Sequence, residues 1–437
     1  GLYGLTSFKP LIENVFVIFF FHQENPYHFS MQRSFMMDRT EKIETKIIHA
    51  GRNPESFGGS VNPPVYHFST VLYKSVDELI SRYDNITPDS RVMTYGTKGS
   101  PTSFSLEDAV AELEGGFRSI SFPSGLAAVA GALFAFLKSG DHLLMTDSVY
   151  YPTREFCASV LKRFGVETTY YPPCIGSEIE ELIQENTTVI YTESPGSHTF
   201  EVQDIPALSA AAHRHQAKLI MDNTWASPIF FNPFVHGADV SIQAATKYIN
   251  GHSDIMLGMV TTTREDWEQL RNCTWHLGQC CGPDDLYMAQ RGLRTLSVRM
   301  KQHQSNGIQV AEWLKKRPEV RRVLHPALPD DPGHELWKRD FKGASGLFGI
   351  ELEPTNPSNV EAMLNRLELF GMGFSWGGYE SLIVPSNVEK DRLPESWTFK
   401  GPLLRLHIGL EDPEDLILDL EQGFQELRTD APKSSKS

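Results

Sequence analysis

The stretch that decides the fold is SIQAATKYINGHSD, which runs from Ser241 to Asp254. The apolar residues Val240 and Ile242 alternate as they do in a buried strand, and small side chains then lead to Lys247. Burial lowers the pKa of a lysine, and a neutral amine can attack a carbonyl carbon. The alternative is a lysine whose charged end reaches water at the surface. This stretch alone leaves both interpretations open.

The composition excludes several classes of protein. The chain has 437 residues, of which 40% are hydrophobic and 22% charged, enough for two or three globular domains. A net charge of −15 argues against a nucleic-acid partner. The longest strongly apolar run, Val15–Phe21, is far shorter than the roughly 20 residues of a membrane-spanning helix, so no membrane partner is expected. The five cysteines form no CxxC pair, which predicts no metal site and free thiols in a reducing compartment, the cytoplasm. The adjacent Cys280 and Cys281 are expected to be inert.

Strands and helices alternate along the centre of the chain, an order typical of an α/β fold with a mostly parallel sheet covered by helices. The expected strands are Ser119–Phe122, His142–Thr146, Thr188–Thr192, Lys218–Met221, Val240–Gln243 and Leu257–Thr262. The expected helices are Ser105–Glu114, Leu126–Leu137, Arg154–Phe164 and Pro206–His215. After a long helical pattern at Pro283–Arg317, a small C-terminal α/β domain is predicted from strands at Gly346–Leu352 and Leu404–Ile408 and helices at Ser358–Leu369 and Pro413–Leu427.

Three chemically useful residues follow predicted strands, where the ligands of parallel sheets bind. Gly125 opens a strand-to-helix turn whose N–H groups suit a phosphate, Tyr150 offers a flat ring, and Asp222 ends the strand KLIMD. Each has a plainer alternative: a structural turn, a packing residue and a helix cap. Together with a buried Lys247 they are the parts that hold pyridoxal 5'-phosphate (PLP), because the lysine forms a Schiff base and the carboxylate keeps the pyridine nitrogen protonated. Thr246 can add a hydroxyl hydrogen bond to the phosphate.

Nine motifs in order resemble landmarks of the cysteine and methionine metabolism family of PLP enzymes, over about Glu44 to Leu427. They are YGTKGSPT, FPSGLAAV, TDSVYYPT, TESPGS, MDNTWASP, SIQAATKYINGHSD, RGLRTL, SWGGYESL and RLHIGLED. The resemblance implies an aspartate aminotransferase-like fold (PLP fold type I), with a large sheet domain, a small C-terminal α/β domain and an extended N-terminal arm. It also implies a homo-oligomer that is at least a dimer and commonly a tetramer.

On this basis the chain is expected to comprise five segments. Residues 1–37 are expected to be a non-native or disordered extension. Residues 38–98 have too few apolar residues for a core of their own and are expected to be an arm that packs on a partner subunit. Residues 99–293 would form the PLP-binding domain, residues 294–429 the C-terminal domain, and residues 430–437 a disordered tail.

The resemblance also implies a role for each residue around the cofactor. Lys247 would form the Schiff base and move the α-proton, and Asp222 would pair with the pyridine nitrogen. Tyr150 would stack on the ring and help in proton handling. The phosphate would be bound by the N–H groups of Gly125 and Leu126 and by the hydroxyl of Thr246.

On the substrate side, the resemblance implies that Arg405 binds the α-carboxylate by a bidentate fork. Ser375 and Trp376 would line the pocket, although Trp376 could instead be a core residue. Tyr95 would reach into the neighbouring subunit and touch its phosphate. Many family members carry an arginine two residues after that tyrosine, whereas this chain has Thr97 followed by Lys98. Either the lysine replaces the charge, or the phosphate depends more on N–H groups and hydroxyls.

Within the family, the resemblance is greatest to enzymes that act by β-elimination. Pro152 stands where methionine γ-lyases carry a cysteine, and Phe374 stands where γ-acting enzymes usually carry a glutamate. The implied reaction is β-elimination of L-cystathionine to homocysteine, pyruvate and ammonia, a step of methionine biosynthesis. The alternatives are a γ-acting relative (cystathionine γ-lyase, γ-synthase or O-acylhomoserine sulfhydrylase) and a non-catalytic PLP-binding regulator.

Overall fold

The computed structural model describes residues 41–427. The expected extension at residues 1–37 and the expected tail at residues 430–437 lie outside the described residues. Within the described range, no helix is both long enough and apolar enough to cross a lipid bilayer.

A seven-stranded sheet forms the centre of the large domain, with the spatial order β1-β7-β6-β5-β4-β2-β3. Strands β2 to β6 pair in parallel, whereas β7 runs antiparallel to both β1 and β6. The predicted mostly parallel sheet is therefore confirmed. The strands are β1 (Arg118–Phe122), β2 (His142–Thr146), β3 (Glu167–Tyr171), β4 (Thr187–Glu193), β5 (Lys218–Asp222), β6 (Val240–Gln243) and β7 (Gly258–Thr262).

The sheet is buried on both faces. Leu219 and Met221 of β5 pack in one hydrophobic cluster, while Ile220 between them packs in another. Because successive side chains of a strand point to opposite faces, helices must cover both sides. The helices of this part are α1 (Ile43–His49), α2 (Val76–Asp84), α3 (Pro101–Glu114), α4 (Gly125–Phe136), α5 (Tyr151–Phe156), α6 (Ile205–Arg214), α7 (Ser227–Phe230), α8 (Arg264–His276) and α9 (Pro283–Leu293).

The sequence expectations for this part of the chain differ from the structure in three places. The helix expected at Arg154–Phe164 begins earlier, as α5 at Tyr151, and continues as a π-helical turn at Cys157–Leu161. Helix α3 begins at Pro101, not at Ser105, because Ser100 and Ser103 form a capping box and proline is favoured in the first helical turn. Strand β3 (ETTYY) was missed because it lies at the edge of the sheet and only its last residue is fully buried, so its pattern is polar.

The C-terminal part forms a four-stranded antiparallel sheet with the order β10-β11-β9-β8. The long helical pattern ending at Arg317 breaks after Leu293, so it forms two helices and not one. Strands β8 and β10 were missed, because the first (VRRVL) has two arginines and the second (LIVP) has four residues and ends in proline. The elements are α10 (Leu296–Leu314), β8 (Val320–Leu324), α11 (His334–Asp340), β9 (Leu347–Leu352), α12 (Pro357–Arg366), β10 (Leu382–Pro385), β11 (Leu403–His407) and α13 (Pro413–Glu426).

The N-terminal arm contacts its own chain over only part of its length. Ile47 and Ala50 are buried in the core of the large domain. By contrast, α2 has no buried residue, Leu72 is 87% exposed and Val76 is 69% exposed. That this second part packs on a partner subunit stays a prediction.

Candidate active site

Lys247 lies in a turn after β6 and points into the cleft between the two sheets. Its Nζ donates a hydrogen bond to Oγ of Ser375 at 2.8 Å and lies 5.1 Å from the centre of the Trp376 ring. Burial, with a contribution from the charge of Arg405, lowers the pKa of Lys247 to about 8, while Asp222 opposes the shift. The alternative of a lysine that reaches the surface is therefore wrong, because the amine is largely desolvated and bound to a residue 128 positions away.

Asp222 ends β5 and lies beside Glu193 of β4 in the register of the sheet. Oδ1 of Asp222 accepts hydrogen bonds from the N–H of Thr224 (3.0 Å) and from its hydroxyl (2.6 Å). Within the described part of the chain, Oδ2 has no such partner and is available to a ligand. Asp222 does not cap a helix, the plainer alternative for this residue, because the next helix, α7, begins at Ser227 and has Ala226 at its N-cap.

Glu193 is a residue for which the sequence suggested no role. Desolvation, together with the negative charge of Asp222, raises the pKa of Glu193 well above its ordinary value. Asp222 has two hydrogen bonds and the charge of Lys247 to stabilise its anion, whereas Glu193 accepts one, from the N–H of Tyr150 at 2.8 Å. Burial also raises the pKa of Asp222, but its better stabilised anion makes Asp222 the stronger acid of the pair. The signal in the sequence was the acid in TESPGS, at the end of the neighbouring parallel strand.

The N-terminus of α4 offers a phosphate site. The N–H groups of Gly125 and Leu126 have no hydrogen-bond partner among residues 41–427, because Ser124 caps the N–H of Ala127 instead. A Cβ on Gly125 would lie 2.8 Å from Cβ of Ala244, so only glycine lets the helix end approach the Lys247 turn this closely. Free N–H groups at a helix start are suited to an anion.

Thr246 lies two residues after Ala244, the residue that faces Gly125, but its hydroxyl already has partners. Oγ1 accepts a hydrogen bond from the N–H of Leu257 at 2.9 Å and lies 3.2 Å from the carbonyl oxygen of the same residue. The predicted bond from Thr246 to a phosphate stays a prediction, and it would replace the contact with that carbonyl.

Tyr150 is the residue immediately before α5, and 46% of it is exposed. Its backbone is held by the bond to Glu193, which leaves the ring free to cover a flat ligand. Desolvation of the phenol raises the pKa of Tyr150, and the nearby carboxylate of Asp222 adds to the shift. The phenol is therefore a neutral proton donor near neutral pH.

Arg405 projects from β11 on the opposite side of the cleft. Its Nη2 donates to the carbonyl oxygen of Ser375 at 3.1 Å, and this is the only hydrogen bond of the guanidinium within the described residues. Burial lowers the pKa of Arg405 to about 10, while Tyr150 opposes the shift. The group is therefore charged and still has free N–H groups for a carboxylate.

Ser375 and Trp376 lie on one turn, which Lys247 and Arg405 both contact. Ser375 accepts from Lys247 through its side chain and from Arg405 through its backbone. The Trp376 ring lies 5.5 Å from that of Tyr248 and is half-buried against the core. Trp376 thus combines the two predicted positions, since it packs on the core and also lies beside the Lys247 amine.

The structure does not bring Tyr95 to these residues. Tyr95 is 50% exposed and begins a short 3₁₀ helix at Gly96–Lys98. The Nζ of Lys98 lies 4.1 Å from the centre of the Trp275 ring of its own chain, where burial and then Arg271 lower the lysine pKa. This position disfavours the idea that Lys98 supplies the missing positive charge, and the contact of Tyr95 with a partner subunit stays a prediction.

The residues of the cleft match the chemical groups of PLP. The free N–H groups of α4 suit its phosphate, the free Oδ2 of Asp222 suits a protonated pyridine nitrogen, and the buried Lys247 suits its aldehyde. The match rests on three separate elements of the fold that meet at the carboxyl ends of parallel strands, as expected for such sheets.

Known proteins resemble the chain over nearly the whole of the described range. The sequence model of a family described as Cys/Met metabolism PLP-dependent enzymes matches residues 44–425. The chain is 44% identical to cystathionine β-lyase MetC of Escherichia coli over 390 residues, which cover 88% of this chain and 98% of that protein. It is 40% identical to an L-alanine/L-glutamate racemase of Wolbachia pipientis over 395 residues, with 88% and 98% covered. The crystal structure of MetB from Corynebacterium glutamicum matches with a TM-score of 0.82 at 33% identity, covering 89% of this chain and 99% of that one.

Proposed function

The chain belongs to the Cys/Met metabolism family of PLP-dependent enzymes, and from this premise we propose that it is a carbon–sulfur lyase, a cystathionine β-lyase. It would cleave L-cystathionine, with water, to homocysteine, pyruvate and ammonia. The observation that carries the proposal is that Lys247 and Arg405 bind the same residue, Ser375. A base and a carboxylate-binding group are thereby held side by side, as removal of an α-proton from an amino acid requires.

PLP, when bound, withdraws electrons from the substrate α-carbon. The residues that would hold it are Lys247, Asp222, Tyr150 and the N–H groups of α4. The carboxylate of Asp222, with its charge kept by Thr224, would stabilise a protonated pyridine nitrogen. The raised pKa of Glu193 favours its neutral form, which adds no second negative charge to this side of the site.

Proton transfer would be carried out by Lys247. Its amine, with a pKa of about 8, is neutral in a sizeable fraction of molecules near neutral pH and can accept the α-proton. The ammonium formed can then donate a proton to the sulfur that leaves the β-carbon. Arg405 would hold the α-carboxylate during both transfers, so that the α-proton faces Nζ.

The experiment is to incubate the purified protein and PLP with L-cystathionine and to identify the keto acid and the thiol. Pyruvate and homocysteine are the expected products. Mainly 2-oxobutyrate and cysteine would instead favour a γ-acting enzyme, and the absence of any product would favour the non-catalytic alternative. Racemisation of L-alanine should be measured in parallel, because one similar protein is named a racemase. A racemisation rate above the cleavage rate would contradict the lyase.

Two lysine variants sharpen this test. Lys247→Ala should keep the fold but lose cleavage, because it removes the amine that would accept the α-proton. Lys315→Ala is the matched control, because this lysine is exposed and pairs with Asp330 away from the cleft. Substantial cleavage by Lys247→Ala would refute the assignment of the base.

We also propose that the enzyme is a homo-oligomer, at least a dimer and in full a tetramer. Exposed apolar side chains on and before α2, together with the exposed Tyr95, support a partner surface on the arm. Light scattering after gel filtration measures the mass directly. A monomeric mass at micromolar concentration would refute the contribution of Tyr95 to a neighbouring site.

The cytoplasm is the proposed compartment. The five cysteines, all within residues 41–427, form no disulfide, as expected of a protein kept in a reducing environment. Cell fractionation with a soluble cytoplasmic marker would test this.

A further inference from the structure

The turn formed by residues 375–378, between α12 and β10, is held in a strained conformation. Ser375 has φ of +81°, a left-handed conformation that a residue with a side chain adopts only when its surroundings impose it. This turn presents Oγ of Ser375 to Lys247. The contacts that impose the conformation therefore also set the environment of the Lys247 amine.

His407 supplies one of these contacts and is 1% exposed. Its Nε2 lies 3.2 Å from the N of Gly377 and 3.0 Å from the carbonyl oxygen of Gly378. A neutral imidazole nitrogen either accepts from an N–H or donates to a carbonyl. His407 thus binds the turn in either tautomer.

One strand holds both ends of the turn. Arg405 and His407 are two positions apart on β11, so their side chains point to the same face of the sheet. Arg405 binds the start of the turn and His407 binds its end. A Cβ on Gly377, which has φ of +85°, would lie 3.0 Å from Cα of Lys247, so the turn also packs directly on the Lys247 backbone.

We propose that His407 is a positioning residue for proton transfer: it fixes the turn at residues 375–378 and, through Ser375, the position of Lys247. This inference rests on the proposed role of Lys247 toward PLP, but not on the identity of the substrate. Within the described residues the side chain of His407 makes no hydrogen bond to Lys247, and at 1% exposure it does not line the open part of the cleft.

The surroundings of His407 show that it acts through hydrogen bonds and not through charge. The ring of His303 lies 5.2 Å away and that of Tyr248 lies 5.9 Å away. Burial, and then His303 and the nearby charges of Arg405 and Lys247, lower the pKa of His407 far below its ordinary value, so the imidazole is neutral at working pH. Nδ1 of His407 and Nε2 of His303 are both buried without a hydrogen-bond partner in the described part of the chain.

The test uses three variants of the PLP-loaded enzyme. His407→Leu removes the bonds to the turn, whereas His407→Gln keeps an amide that can bind where Nε2 lies. His325→Leu is the matched control, because this histidine is also fully buried in the C-terminal part, but it accepts from the N–H of Ala327 and not from the turn. Cleavage of cystathionine and thermal midpoints are measured for each, and the visible absorbance of the bound cofactor is titrated with pH in the absence of substrate.

In His407→Leu we expect kcat to fall about tenfold, as for one lost hydrogen bond, with a smaller change in KM. The midpoint of the absorbance titration should fall by at least about half a unit, because an oxygen that accepts from Nζ favours its protonated form. His407→Gln should restore both values toward wild type, while His325→Leu should lower the thermal midpoint only.

The double variant separates positioning from general destabilisation. Ser375→Ala should shift the absorbance midpoint in the same direction. Adding His407→Leu to it should produce no further shift, because both changes act through the hydrogen bond between Ser375 and Lys247. An unchanged midpoint in His407→Leu, or additive shifts in the double variant, would overturn the proposal. Because the titration uses no substrate, it succeeds or fails independently of whether cystathionine is cleaved.

Discussion

Replacing Arg392 with methionine should destabilise the enzyme more than loss of an ordinary surface charge. Arg392 lies between β10 and β11, and 2% of its side chain is exposed. Its Nε donates to Oδ1 of Asp147 at 3.0 Å, its Nη2 donates to Glu201 at 2.8 Å, and its Nη1 donates to the hydroxyl of Thr199. These bonds join the C-terminal part to the loop that follows β2. Asp147 begins this loop, and Tyr150 lies three residues after it.

The magnitude follows from the burial of the partner. The Asp147 side chain is fully buried, so the variant leaves a carboxylate in the interior with one remaining hydrogen bond among residues 41–427, from the N–H of Leu393 at 2.9 Å. Breaking a buried ion pair by removing one partner costs about 3–5 kcal/mol. The double variant Arg392→Met with Asp147→Asn removes the unpaired charge and should recover more than half of that loss.

Urea denaturation of the PLP-loaded enzyme measures the free energy of unfolding, with the slope checked in each variant. The control is Arg264→Met, because Arg264 and Asp89 form an ion pair that is 62% and 58% exposed and should be worth at most about 1 kcal/mol. A cost below about 1 kcal/mol for Arg392→Met, or no recovery in the double variant, would refute the reasoning. A cost below about 1 kcal/mol for Arg392→Met would mean that water reaches Asp147.

Three further outcomes are expected. The rate of cleavage should rise between about pH 7 and pH 9, because the neutral amine of Lys247, with a pKa of about 8, is the base; a flat pH–rate profile would contradict this. Arg405→Lys should raise KM at least about tenfold in steady-state kinetics, because an ammonium cannot form the bidentate bond; an unchanged KM would place the carboxylate elsewhere. Burial raises the pKa of Glu114 from 4.5 to about 7, so the folded state binds the proton more tightly than the unfolded state. The contribution of Glu114 to the free energy of unfolding is therefore present below about pH 4.5 and lost as the pH rises through 7, by up to roughly 3 kcal/mol. Urea denaturation at pH 5 and pH 8 measures this dependence, and Glu114→Gln should remove it.

The site residues that can be predicted best from the sequence are those that follow buried strands. The apolar run KLIMD places Asp222 at the end of β5, and the alternation before Lys247 places it after β6. Both residues then meet in the fold, because parallel strands end on the same edge of a sheet. Gly125 is predictable for the same reason, since its turn also follows a buried strand.

Residues whose partners are distant in sequence could not be predicted in this way. Arg392 pairs with Asp147 across 245 positions, and His407 binds Gly377 across 30, and no local pattern indicates either contact. The sequence also could not decide between two positions for Trp376, because the ring both packs on Tyr248 and lies beside the Lys247 amine. Edge strands such as β3 escape detection because only a fraction of their residues is buried.

The contact between the two sheets belongs to the hydrophobic core, and this explains how residues from separate parts can hold one amine. Leu347 and Leu403 of the C-terminal sheet are buried in the same cluster as Trp225 of the large domain. Nε1 of Trp225 also donates to the carbonyl oxygen of Leu347 at 2.8 Å. Since close-packed interiors resist displacement, the position of β11 is fixed relative to β5 and β6. Lys247 can therefore be bound from one side by its own turn and from the other by a turn that β11 holds in place.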